Sequence, residues 1–129
     1  MTDRLRIAMA QLNQTMGDLP GNAAAMLAWR EKARAEGADL IVYPELQLIG
    51  YPPEDLVLKP AFQESARAAC EALARDTADG GPAVLVGLPW VEAGQLYNAY
   101  ALLNGGRIEA VRFKVDLPNY GVFDEKRVF

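Results

Sequence analysis

Apolar residues follow two different periods along this chain, and together these periods predict five strands and two helices. Residues 40–43 form an uninterrupted apolar run, which is typical of a strand buried on both faces. Pro44 ends this strand, because proline has no N–H to donate to a neighbouring strand and its own backbone angle φ is fixed. The other predicted strands are residues 5–12, 83–87, 96–103 and 107–113.

Two segments with a period of about 3.6 residues are predicted to be helices. The first starts at Asn22, a residue type that favours the N-cap, and runs to about Glu36, where Gly37 provides a stop. Its buried face is predicted to contain Met26, Trp29 and Ala33. The loop over residues 47–59 is rich in proline and is predicted to be neither helix nor strand. The second helix covers residues 60–76, with Phe62, Ala66, Ala69 and Leu73 on its buried face.

The order of these elements predicts a layered α/β fold with a mixed sheet. The first strand, helix and second strand follow each other closely enough to form a βαβ unit, whose two strands are parallel. Asn104-Gly105-Gly106 lies between two apolar runs, which is the strongest short signal for an antiparallel hairpin. We expect the helices on one face of the sheet, and an opposite face that needs cover.

Composition excludes several classes of function. The chain has 129 residues, enough for one domain, a net charge of −4 and a pI near 4.8, so binding to nucleic acid or to an anionic membrane surface is not expected. It has neither an apolar run of membrane-spanning length nor a signal-peptide core at its start, and its single cysteine fits a reducing cytoplasm. There is no histidine, which excludes Ser-His-Asp and Cys-His catalysis and argues against a zinc site.

Two charged residues stand at predicted strand ends, where ligands bind in α/β sheets. Glu45 follows the buried strand and Lys114 follows the last strand. Partial burial would increase the basicity of Glu45, and opposite charges in one cleft would stabilise each other. The alternatives are a Glu45 that caps a turn or is solvated, and a solvated Lys114. Sequence spacing does not decide between these interpretations.

Cys70 falls on the second helix, beside the apolar face. A nucleophilic role rests on residue type alone, because no base is nearby and nothing indicates a cleft. A free cysteine is usually a small buried apolar residue, so Cys70 is interpreted as a packing residue.

Three stretches resemble one enzyme family. Residues 42–46 (VYPEL), 50–56 (GYPPEDL) and 114–127 (KVDLPNYGVFDEKR) are similar to the amidase domain of glutamine-dependent NAD synthetases, in the nitrilase superfamily. The opening residues 7–13, with Gly17-Asp18 and Gly21-Asn22, are also similar, and the resemblance covers essentially the whole chain. It implies that residues 1–129 are the N-terminal portion of a nitrilase-like glutaminase domain, an α-β-β-α sandwich with a mixed sheet.

The resemblance also implies roles for five residues. Glu45 matches the general base, and Lys114 matches the lysine beside the tetrahedral intermediate. Glu125 matches a second glutamate that assists positioning and proton transfer. Tyr120 matches a tyrosine that lines the glutamine pocket, and Tyr51, in the loop beside the active site, is also expected to bind the substrate.

The family's nucleophilic cysteine is expected after residue 129, since Cys70 does not match its position, so the chain alone is expected to be inactive. No cofactor or metal is expected within it. ATP and Mg²⁺ are expected in a following synthetase domain that amidates nicotinic acid adenine dinucleotide with ammonia from glutamine, and the enzyme is expected to be a homo-oligomer. Two alternatives remain open at this point: a stand-alone nitrilase-family amidase acting on another small amide, and a non-catalytic interaction module.

Overall fold

The computed structural model describes residues 3–129, in which five strands form one mixed sheet in the order β1-β2-β3-β4-β5. The strands are β1 (Ile7–Met9), β2 (Leu40–Val42), β3 (Ala83–Glu92), β4 (Gln95–Asn104) and β5 (Arg107–Phe113). The first three are parallel, whereas β3, β4 and β5 are joined by antiparallel hairpins. The predicted mixed sheet, the parallel β1–β2 pair and the hairpin at Asn104-Gly105-Gly106 are therefore confirmed.

Strand lengths differ from the predicted ones. β1 is shorter than residues 5–12, because it lies at an edge and pairs only with the three residues of β2. β3 is longer than residues 83–87 and remains paired with β4 as far as Glu92 and Gln95. Ala93 and Gly94 make the tight turn between them, with φ angles of 51° and 77°. Two residues with positive φ match the right-handed twist of a hairpin.

The first helix, α1 (Leu19–Ala35), begins earlier than predicted. Its N-cap is Asp18, whose carboxylate accepts a hydrogen bond from the N–H of Gly21 at 3.0 Å. Asn22 is therefore not the cap. It lies buried inside the helix, and its side chain bonds to the backbone of Thr15 and Leu48. The predicted stop is confirmed, because Gly37 follows the helix with a φ of 79°.

The buried face of α1 was predicted wrongly at one position. Met26 and Ala33 are buried as predicted, but Trp29 is 44% exposed, with the Lys32 ammonium 3.9 Å from its ring centroid. Arg30 takes the buried place instead and is only 4% exposed. A buried arginine is tolerated there because its charge is paired with Asp79.

The second helix, α2 (Pro60–Asp76), has the predicted bounds. Ala66 and Leu73 are buried, and Phe62 and Ala69 are partly buried. The loop before it contains a short 3-10 helix, Asp55–Leu58, where only irregular structure was predicted. Neither helix, nor any other among the described residues, is long and apolar enough to cross a membrane.

The two faces of the sheet differ in their cover. Both helices pack with alternate strand residues in one core, which includes Met26, Cys70, Ile41, Val86 and Ala101. On the opposite face Ile7 is 50% and Met9 78% exposed. Their neighbours on that face, Leu40, Val42, Leu85 and Leu102, are only partly buried. Within the described residues a loop crosses this face at Gly87, and the rest of the face has no covering layer, as predicted.

Candidate active site

Glu45 stands on a turn that crosses the uncovered face of the sheet. The turn, residues 45–49, follows the buried Tyr43 and Pro44, which are the two residues directly after the end of β2. Its backbone is tied to β3 by a hydrogen bond from the N–H of Leu48 to the carbonyl of Gly87 at 3.2 Å. Leu46 is fully buried with a φ of 52°, so the residue after Glu45 is fixed in the left-handed region. The position of Glu45 is thereby set by the sheet beneath it.

Lys114 follows the last residue of β5 and reaches the same place. Its backbone N–H donates to the carbonyl of Asn98 at 2.8 Å, which continues the β4–β5 pairing by one step. Its Nζ lies 2.6 Å from Oε1 of Glu45 and 3.0 Å from Oε1 of Glu125. One ammonium therefore bridges two carboxylates, and the interpretation of Lys114 as a solvated strand-end lysine is wrong.

Glu125 is the most buried acid of this group, with only 3% of its surface exposed. It opens a short 3-10 helix, Glu125–Arg127, and its N–H donates to the carbonyl of Pro118 at 3.2 Å. The hydroxyl of Tyr51 donates to Oε1 of Glu125 at 3.2 Å. Burial is the main cause that raises the pKa of Tyr51, and the negative charges of Glu125 and Glu45 add to it. The hydroxyl therefore stays neutral and can donate a hydrogen bond.

One further residue, Asn98, belongs to the cluster and was not predicted from the sequence. Asn98 lies on β4, is 2% exposed, and its Nδ2 donates to Oε1 of Glu45 at 2.6 Å and to Oε2 of Glu125 at 3.5 Å. The sequence did contain a signal for this residue, because its amide side chain falls inside the predicted apolar strand 96–103 and a buried polar side chain needs hydrogen-bond partners.

Lys114 remains positively charged in this environment. Burial by itself lowers the pKa of an ammonium, but the hydrogen bonds to Glu45 and Glu125 together outweigh it and raise the pKa of Lys114. The hydrogen bonds that Lys114 and Asn98 donate to Glu45 both end on Oε1. Within residues 3–129 no hydrogen bond reaches Oε2 of Glu45, and its side chain is 36% exposed. This oxygen is free to accept a proton.

Tyr120 is the predicted site residue that does not join the cluster. Its side chain is 72% exposed and contacts the ring of Phe123 edge-on, with 5.7 Å between the centroids. Of the five predicted residues, the structure thus brings Glu45, Lys114, Glu125 and Tyr51 together.

Cys70 lies elsewhere. It is fully buried in the core between α2 and the sheet, and burial raises its pKa to about 12. A thiol with so high a pKa is almost entirely protonated at neutral pH and is a poor nucleophile. The interpretation of Cys70 as a packing residue is confirmed.

Comparison with known proteins agrees with this fold. The family model described as carbon-nitrogen hydrolase matches residues 6–129. The chain is 52% identical to the glutamine-dependent NAD(+) synthetase of Rhodobacter capsulatus and 44% identical to that of Thermotoga maritima, over 100% and 98% of its own length. It spans only 23% and 22% of those two relatives.

Solved structures of the same kinds of enzyme are also similar to the chain. The glutamine-dependent NAD(+) synthetase of Cytophaga hutchinsonii matches 97% of the chain with a TM-score of 0.90 and 34% identity, and the match covers 21% of that structure. An amidase from Nesterenkonia matches 97% of the chain with a TM-score of 0.80 and 29% identity, covering 47% of that structure. These matches confirm the nitrilase-like fold predicted from the sequence. A family model that extends over nearly the whole chain, together with these structures, shows that the chain belongs to the carbon-nitrogen hydrolase family.

Proposed function

We propose that this chain is the N-terminal portion of the glutaminase domain of a glutamine-dependent NAD synthetase. The observation that carries the proposal is the Lys114 ammonium held between the carboxylates of Glu45 and Glu125, at 2.6 and 3.0 Å. This arrangement provides a base and a fixed positive charge in one place, which are the two functions that amide hydrolysis needs besides a nucleophile.

Glu45 acts as the general base. The nucleophile is a cysteine thiol beyond residue 129, and Oε2 of Glu45 takes its proton as the sulfur attacks the side-chain amide carbon of glutamine. A base is necessary because a thiol with an ordinary pKa of about 8.5 is mostly protonated at neutral pH. When the tetrahedral intermediate collapses, the C–N bond breaks, Glu45 returns the proton to the leaving nitrogen, and ammonia departs. Water activated by the same carboxylate then hydrolyses the thioester to glutamate.

Lys114 stabilises the negative oxygen of the tetrahedral intermediates. Its raised pKa keeps the charge in place, and its two carboxylate partners fix the ammonium before the substrate arrives. A preorganised charge of this kind is worth about 10²–10³ in rate. Glu125 orients Lys114 and assists proton transfer. Tyr51 acts through Glu125, and the exposed ring of Tyr120 contacts the bound glutamine.

The ammonia is used by a synthetase domain that amidates nicotinic acid adenine dinucleotide with ATP and Mg²⁺. Within residues 3–129 no group of three or more His, Cys, Asp or Glu side chains could hold a metal ion. A stand-alone amidase is less well supported, because the chain is 52% and 44% identical to two synthetases but 29% identical to the Nesterenkonia amidase.

The test is made in the complete polypeptide that carries this chain. Glu45→Gln and Lys114→Ala should each abolish glutamine-driven NAD synthesis and leave ammonia-driven synthesis intact, because only the supply of ammonia is lost. Glu64→Gln and Lys59→Ala change the same residue types at exposed positions of α2 and its N-cap and should change neither activity. Equal loss of both activities in the two site variants would mean that Glu45 and Lys114 are structural, and the proposal would fail.

A further inference from the structure

Asn98 contacts every charged residue of the candidate site. Its side-chain amide donates to Glu45, 53 positions earlier, and to Glu125, 27 positions later, at 2.6 and 3.5 Å. Its backbone carbonyl accepts the N–H of Lys114 at 2.8 Å. One residue of β4 thus connects three chain segments that carry the charges.

The place of Asn98 in the sheet explains how it reaches both acids. It lies directly opposite Pro89 of β3 in the antiparallel register, and its neighbour Ala99 points into the core. Side chains alternate between the faces of a strand, so Asn98 points to the uncovered face that the Glu45 turn crosses. The β4 strand is paired on both sides, which gives the amide a rigid base.

The chemistry of an amide suits this position. Its N–H groups donate to two carboxylates without adding a charge. Lys114 and Asn98 both donate to Oε1 of Glu45, so two bonds from different directions fix the carboxylate plane. Oε2 is thereby held away from both donors. Lys114 alone could not do this, because a single bond leaves the carboxylate free to rotate about it.

We propose that Asn98 is a positioning residue for glutamine hydrolysis, which holds Glu45 and Glu125 on either side of Lys114 and keeps Oε2 of Glu45 turned toward the thiol it deprotonates. The inference rests on the proposed function, since it assigns the orientation of the base in that reaction. Asn98 acts through Glu45 and is not itself a group that touches the substrate.

The variants separate positioning from charge. Asn98→Leu removes the donor and should lower kcat for glutamine by about 10- to 100-fold, the value of one hydrogen bond to a charged group, with KM nearly unchanged. Asn98→Asp has the same shape but adds a carboxylate, and Asn98→Ser is too short to reach both acids. Ammonia-driven synthesis in all three should equal that of the unmodified enzyme.

The pH profile provides a readout that a merely structural role would not change. The titratable groups around Asn98 come from several elements: Glu45, Tyr51, Tyr100, Lys114 and Glu125. A carboxylate at position 98 would repel Glu45 and favour its protonated form, so the acid limb of the kcat profile should move to higher pH in Asn98→Asp. Asn104→Asp is the matched control. It lies on the same strand beside Glu109, at 3.4 Å, and should leave kcat and the limb unchanged.

The outcomes are distinguishable. If Asn98→Leu and Asn98→Ser have the same kcat as the unmodified enzyme while Glu45→Gln is inactive, Asn98 is not a positioning residue. The proposed function would still stand in that case. A parallel loss of ammonia-driven synthesis, or an unshifted acid limb in Asn98→Asp, would reduce Asn98 to a folding residue and also overturn the inference. If the unmodified polypeptide releases no ammonia from glutamine, the proposed function and this inference both fail.

Discussion

A Cβ atom on Gly87 would lie 2.4 Å from the backbone nitrogen of Leu46. The same atom would also lie 2.9 Å from the carbonyl oxygen of Pro44 and 3.0 Å from the carbonyl carbon of Glu45. All three neighbours are backbone atoms, which cannot move aside as a flexible side chain can. Glycine is therefore required in the middle of β3, because the turn that carries Glu45 rests directly on it.

Gly87→Ala should displace this turn and weaken both the fold and the site. Overpacking of this kind costs about 1–3 kcal/mol of unfolding free energy. Because the displaced turn carries Glu45, glutamine-driven activity should fall more than ammonia-driven activity. Urea denaturation and the ratio of the two activities measure these effects. Gly94→Ala is the control for the activity ratio: its φ of 77° makes the substitution strained, but nothing lies within 4 Å of the added Cβ, so stability should fall while the ratio stays unchanged. A Gly87→Ala variant that keeps its stability and its activity ratio would show that the turn adapts.

Asp79 should make stability depend on pH in the acid range. Its carboxylate accepts two hydrogen bonds from the buried Arg30, at 2.8 and 2.9 Å, and one from Arg34 at 2.8 Å. The hydrogen bonds from Arg30 are the main reason why the pKa of Asp79 lies well below its ordinary value, and the hydrogen bond from the N–H of Gly81 adds to this effect. The unfolded chain therefore binds this proton first as the pH falls, so the contribution of Asp79 is complete above about pH 5 and is lost progressively below it.

The urea midpoint of the unmodified protein should thus fall more steeply between about pH 5 and pH 2.5 than that of Asp79→Asn. Asp76→Asn removes an exposed aspartate at the end of α2 and should retain the steep slope. Parallel slopes in the unmodified protein and Asp79→Asn would contradict the assignment.

Cys70 should react with thiol reagents only when the protein unfolds. It is fully buried, and a pKa of about 12 leaves almost no thiolate at pH 8. Labelling with a disulfide reagent should be slow without denaturant and complete in urea. Cys70→Ala should cost about 1 kcal/mol of stability, as a typical substitution does, and leave glutamine hydrolysis in the complete polypeptide unchanged. Loss of hydrolysis without loss of stability would make Cys70 part of the catalytic machinery.

The uncovered face of the sheet should bind apolar surfaces. Ile7 and Met9 are 50% and 78% exposed on edge strand β1, beside further apolar residues of the same face. The isolated 129-residue chain should bind a hydrophobic dye and self-associate as its concentration rises. A double variant, Ile7→Thr with Met9→Lys, should bind less dye and self-associate less. The control is Leu58→Gln, which changes a residue 45% exposed in the 3-10 helix before α2 and should leave dye binding and self-association unchanged. A monomeric chain that binds no dye would contradict this expectation.

Local signals in the sequence determined most of the elements. The bounds of α2 were predicted correctly because Pro60 opens it and a regular apolar period follows, so two independent signals agree. The hairpin at Asn104-Gly105-Gly106 was predicted from turn chemistry that operates within a few residues. Glu45 and Lys114 could be singled out because each follows directly on an apolar strand. In all these cases the cause lies within one turn of helix or one strand of the residue concerned.

Tertiary structure decided what depends on distant neighbours. Arg30 rather than Trp29 is buried on α1, because Asp79 lies 49 positions away and neutralises the guanidinium. Asn98 joins the site because the register of β3 and β4 places it under a turn 53 positions earlier. Neither pairing can be recognised from the residues next to Arg30 or Asn98 in the sequence. A hydrogen bond between residues about 50 positions apart depends on how the strands and helices pack against each other.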